Sequence, residues 1–114
     1  MRKLPYTTRK EIYNFISMVG ELLGDKLDKI ILYGSFARGD DQENSDVDIM
    51  ILVRISEQEI KKIENYIYDI AFDIELNTGV DISPVIKNVN QFEYWEDTLP
   101  FYRNVKEEGV VIDG

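Results

Sequence analysis

The sequence predicts an α/β (α+β) fold: a small mixed sheet with helices packed mainly on one face. Three observations carry that expectation. Residues 8–23 and 56–76 repeat apolar side chains at helical spacing. Three shorter apolar runs, 29–33, 47–54 and 80–86, are too short for helices and stand beside turn residues. Helical and extended segments are interleaved along 114 residues, a length that suits one domain spanning 1–114.

The elements follow in chain order. Thr8 and Glu11 have capping-box spacing. Ile12, Phe15, Ile16, Val19, Leu22 and Leu23 then make one apolar stripe, and Gly24 suits its stop. KIILY (29–33) and VDIMILVR (47–54) read as strands. Ser56 and Glu59 repeat the capping spacing, and Ile60, Ile63, Ile67, Ile70 and Ala71 continue an apolar face. Asn77 to Gly79 is a turn before VDISPVI (80–86), a third strand that Pro84 makes irregular or confines to a sheet edge. The tail predicts two short helices split around Leu99 and Pro100, with Gly109 closing the second. Phe92, Trp95, Phe101 and Tyr102 are expected to pack against the sheet, and a docking surface is the functional alternative.

Composition narrows the chemistry. Neither cysteine nor histidine occurs, which excludes disulfides, thiolate chemistry and imidazole ligands or bases. Carboxylates must carry any catalysis. The formal net charge is −9, from 22 acidic against 13 basic residues. That is a poor supply of cations for gripping nucleic-acid phosphates, so no direct nucleic-acid binding is expected. No run of 18 apolar residues suggests a membrane span, and the start, MRKLPYTTRKEIYN, does not read as a signal peptide. A cytoplasmic protein is the expectation.

The stretch with chemical content is GSFARGDDQENSDVD, residues 34–48. Gly34-Ser35 ends a strand, where glycine permits close backbone approach and the hydroxyl can reach a phosphate oxygen. A P-loop fails because Asp40 and Asp41 stand where Lys and Ser/Thr belong, and an EF-hand lacks both its glycine and its closing glutamate. Asp46 and Asp48, two apart on a strand, point to one side, with Val47, Ile49 and Ile51 on the other. Adjacent carboxylates repel unless a cation sits between them, and Mg²⁺ takes oxygen ligands. Asp81 on the third strand could join them if the two strands are neighbours. Arg38, the only cation in this loop, contacts a phosphate or pairs with Asp40 or Asp41.

Gly-Ser, ten residues, Asp-x-Asp and a later aspartate resemble the nucleotidyltransferase superfamily, which includes DNA polymerase beta and kanamycin nucleotidyltransferase. YGSFARGD, SDVDIMI and the tail PFYRNVKEEGVVI look like the minimal nucleotidyltransferases, commonly the MntA-type antitoxin half of a pair with a helical HEPN toxin. The resemblance implies the polymerase beta-like fold. It implies that Gly34, Ser35 and Arg38 bind the nucleotide and that Asp46, Asp48 and Asp81 hold two Mg²⁺ ions. It implies transfer of AMP from ATP to a tyrosine of a HEPN RNase toxin. The alternatives are an antitoxin that masks its partner without catalysis, and an enzyme that adenylylates a small molecule such as an aminoglycoside.

Overall fold

The structure, a computed structural model, describes residues 5–42 and 44–113. The first four residues, part of the segment read for a signal peptide, lie outside it. Helix α1 spans Tyr6–Leu23 and runs through a short 3-10 turn into strand β1, Leu27–Tyr33. One turn of helix, α2, covers Ser35–Arg38 before β2, Val47–Val53. Then come α3 (Glu57–Thr78), β3 (Ile82–Asn88), α4 (Val89–Trp95), α5 (Pro100–Glu108) and β4 (Val110–Asp113).

The sheet order is β3-β2-β1-β4. β1 pairs antiparallel with β2 and β4, whereas β2 and β3 run parallel, joined by α3. The sheet is therefore mixed, as expected. β2 is central and buried on both faces. Val47, Ile49, Ile51 and Val53 enter one core with Ile12, Phe15, Val19 and Ile67 of the long helices. Met50 and Leu52 enter a second core with Phe92, Tyr102 and Val105 of α4 and α5. The two long helices thus cover one face, and the short C-terminal helices cover the other. The aromatic residues of the tail do pack there: Phe92 lies edge-on to Tyr102, with ring centroids 5.5 Å apart. Among the described residues, no helix is long and apolar enough to cross a membrane.

Local rules explain the boundaries, with three corrections. Ser56 and Glu59 form the expected capping box on α3, and Gly79 ends that helix at φ 80°. Thr8 and Glu11 do not cap α1. The helix starts earlier, behind Pro5, and Glu11 is instead buried and accepts a bond from Asn14 Nδ2 at 3.2 Å. Leu22, placed on the apolar stripe by spacing, is exposed. The third strand starts two residues later than its apolar run suggests, so Asp81 lies just before it. The Val47 N–H donates to the Asp81 carbonyl at 2.8 Å, which starts the parallel ladder. Alternation along that ladder turns the nitrogen of Pro84 outward, where a missing donor costs nothing, and β3 is indeed an edge strand.

Candidate active site

β1 delivers Tyr33 and then Gly34, whose φ of 77° and ψ of −156° lie in backbone space that only glycine occupies readily. The chain turns directly into α2. There Arg38 N–H donates to the Gly34 carbonyl at 3.0 Å and Gly39 N–H to the Ser35 carbonyl at 2.9 Å. Gly34 is needed for a second reason. A Cβ there would overlap Oδ2 of Asp48, so the glycine corner sits directly against that carboxylate. The loop returns through a turn in which Gln42 N–H donates to Ser45 Oγ at 2.7 Å, and it enters β2 just after Asp46.

The parallel pairing of β2 with β3 brings Asp81 beside Asp46, close enough for their carboxyl groups to share a hydrogen bond when Asp81 is protonated. Loss of hydration, the bond to Asp46 and the charges of Asp46, Glu75 and Asp48 push the Asp81 carboxyl from 3.8 up to about 6. Asp48 is also raised, first by burial and then by Asp46, against a downward pull from Arg38. Three carboxylates from two separate segments therefore meet at one end of the sheet. Clefts of about 370 and 430 Å³ open beside them. The first is lined by Thr8, Phe36, Asn44, Ser45, Glu75 and Asp81, and the second by Tyr68, Phe72, Glu75, Asp81, Ile82 and Pro84 among others.

Arg38 is engaged within the protein: Nε donates to Asp40 and Nη1 to Glu108 on α5, each at 3.1 Å. Three neighbours escaped the sequence reading. Tyr33 faces Asp48 across β1 and β2, and burial and that charge push its hydroxyl up to about 12. Glu75 stands near Asp81 from α3, and Glu108 reaches Arg38 across the fold. Helical and strand periodicity carry no signal for such contacts.

The donor set fits a divalent cation by its chemistry: oxygen ligands only, held close enough that the proton affinities of Asp48 and Asp81 are raised by their acidic neighbours. As the side chains stand, no group of three or more acidic residues among the described residues has metal-binding geometry. The linkage of Asp81 protonation to stability has a defined sign. A carboxyl raised on folding adds stability below its unfolded value of 3.8, and that contribution is lost as pH rises to about 6. Asp81→Asn in metal-free buffer is therefore expected to melt higher than the wild type above pH 6, with the gap closing below pH 4. Thermal melts across that range check this.

A corner that only glycine occupies readily, facing clustered carboxylates on a small mixed sheet, is an arrangement suited to phosphoryl transfer. The sequence profile of the nucleotidyltransferase domain matches residues 12–112, and the chain belongs to that family of enzymes. Two relatives come from Methanocaldococcus jannaschii. "Putative protein adenylyltransferase MJ0141" is 44% identical over 75 residues, covering 66% of this chain and 74% of the relative. "Putative protein adenylyltransferase MJ0604" is 33% identical over 103 residues, covering 90% and 95%. The fold also matches a crystal structure of a toxin–antitoxin with AMP-PNP, with a TM-score of 0.54 and 21% identity over 86% of this chain and 69% of that one.

Proposed function

We propose that this chain, acting as one minimal domain over residues 1–114, transfers AMP from ATP to a tyrosine of a HEPN-type RNase toxin and so neutralises it. The observation that carries this reading is the meeting of Asp46 and Asp81, with Asp48 beside them against the Gly34 corner. The names of the two archaeal relatives support protein adenylylation, and the fold likeness supports the toxin setting.

Gly34 and Ser35 hold the triphosphate through backbone N–H groups and the hydroxyl. Asp46, Asp48 and Asp81 would hold two Mg²⁺ ions, which would supply neutralisation of phosphate charge as the tyrosine oxygen bonds to the α-phosphorus and pyrophosphate leaves. Arg38 exchanges Asp40 and Glu108 for a phosphate oxygen. Asp81, whose carboxyl is raised to about 6 by burial and its acidic neighbours, takes the acceptor's proton on its Oδ. Nucleotidyl transfer needs positioning and charge neutralisation more than covalent participation, which suits a chain without His or Cys.

The test is incubation with labelled ATP, Mg²⁺ and the product of the adjacent gene. Label on a tyrosine of that protein is the expected result. Inhibition of the partner without label, unchanged in Asp46→Asn, identifies a masking antitoxin. Label on an aminoglycoside identifies a small-molecule enzyme. Either result overturns the proposal.

A further inference from the structure

The second cleft has features that nucleotide handling leaves unexplained. On α3, Tyr68, Phe72 and Leu76 recur four residues apart and form a row along one side of the helix. All three are exposed, Phe72 at 56% and Leu76 at 67%. Tyr68 and Phe72 line a groove of about 430 Å³ together with Ala71, Ile82 and Pro84. Its charged lining residues, Glu75 and Asp81, are both acidic, and Glu64 lies at the far end within 3.5 Å of the Tyr68 hydroxyl. Alongside lies the outer edge of β3, which pairs with no strand among the described residues. The ladder's alternation turns the N–H and C=O groups of Ile82 and Ile86 away from β2, with Pro84 contributing only a carbonyl, although the two isoleucines are themselves buried.

We infer that this groove seats an extended, basic segment of the acceptor protein, laid along the β3 edge so that its acceptor hydroxyl arrives at Asp81. The inference rests on the adenylyltransferase reading and adds where the acceptor docks. Apolar side chains of the segment fill the space under Phe72 and Tyr68. Its Lys or Arg residues face Glu64, Glu75 and the acidic remainder of the chain. Its backbone pairs with Ile82 and Ile86, the strand-addition mode of peptide recognition. Charge selects among occupants. A second copy of this chain would bring another −9 into contact, and a nucleic acid would add more negative charge still.

The probe is a nine-residue peptide with a central Tyr, Leu at alternate positions and Lys elsewhere, set against the same peptide with Glu in place of Lys. The Lys peptide is expected to bind, with added exchange protection at the Ile82 and Ile86 amides. Phe72→Ala and Tyr68→Ala are expected to weaken it roughly tenfold. Both variants should keep the wild-type affinity for ATP with Mg²⁺. Phe72→Leu, which preserves the apolar surface, should recover most of the peptide affinity and controls for folding. Against the adjacent gene product, Phe72→Ala should raise KM for the protein acceptor and leave kcat unchanged. The inference is overturned if the Lys peptide fails to bind, if the Glu peptide binds as well, or if Phe72→Ala has no effect. A homodimer in sedimentation equilibrium that Phe72→Ala dissolves would also overturn it, by assigning the groove to a second copy. Failure of the adenylyltransferase reading looks different: peptide binding follows this pattern, and no label reaches any tyrosine.

Discussion

Asp48→Asn is expected to lower AMP transfer from ATP by about a thousandfold or more while the fold persists. The substitution keeps the shape of the side chain and removes its charge. Asp48 lies on the central strand, its neighbours Val47 and Ile49 are buried, and its carboxylate touches the Gly34 corner. A neutral amide there still packs but, on the proposed mechanism, would no longer help to hold a divalent cation. Stability should move the other way. Burial and Asp46 both disfavour the ionised form of Asp48, so the amide is expected to raise the thermal midpoint of the metal-free protein at neutral pH. Adding Mg²⁺ should raise the melting temperature of the wild type more than that of Asp48→Asn. Transfer of label, paired with melts in Mg²⁺ and in chelator, reads both effects. Normal turnover in this variant would remove Asp48 from the chemistry.

Gly34→Ala should be nearly as damaging, through sterics rather than charge. The backbone at φ 77° and ψ −156° costs an L-residue of order 1–3 kcal/mol, and the new methyl overlaps Oδ2 of Asp48. Something must shift: either the corner rotates away from the phosphate position, or the Asp48 carboxylate moves off Asp46. Both disturb the site, so KM for ATP should rise and kcat fall together. A double-mutant cycle separates the causes. In an Asp48→Ala background the overlap with the carboxylate is gone and only the backbone cost remains, so the stability loss from Gly34→Ala should shrink by about 1 kcal/mol or more.

The part of the site readable in advance was the part that follows from strand geometry. Val47, Ile49 and Ile51 are core residues because strand side chains alternate, which leaves Asp48 on the other side; Asp46 lies one residue before β2 and is still near enough for its charge to raise Asp48. The conditional step for Asp81, that its strand lie next to that of Asp48, holds through the parallel pairing of β2 and β3. Pro84 announced an edge, and an edge it occupies. The elements that escaped are short or depend on distant partners. β4 is only four residues, VVID, and becomes a strand because β1 offers it a free side. α2 is a single turn, below the length at which periodicity registers. The competition at α1 went to Pro5, which precedes the first turn and leaves Thr8 inside the helix. Arg38 was read against its neighbours, and one of them, Asp40, does pair with it. Its other partner, Glu108, lies 70 residues away, a contact that local spacing cannot announce.

The parallel β2-α3-β3 crossover has a consequence for how competence is acquired during synthesis. A ribosome that has released β2 has already made the glycine corner, Asp46 and Asp48, and antiparallel pairing of β1 with β2 can unite them early. Asp81 arrives only after the 22-residue α3 has been made and has swung back over the sheet, a closure that carries its own entropic barrier. If the proposed roles hold, nascent or truncated chains that stop short of that crossover would own the glycine corner yet lack one third of the carboxylate set, and would stay inert until the parallel strand docks.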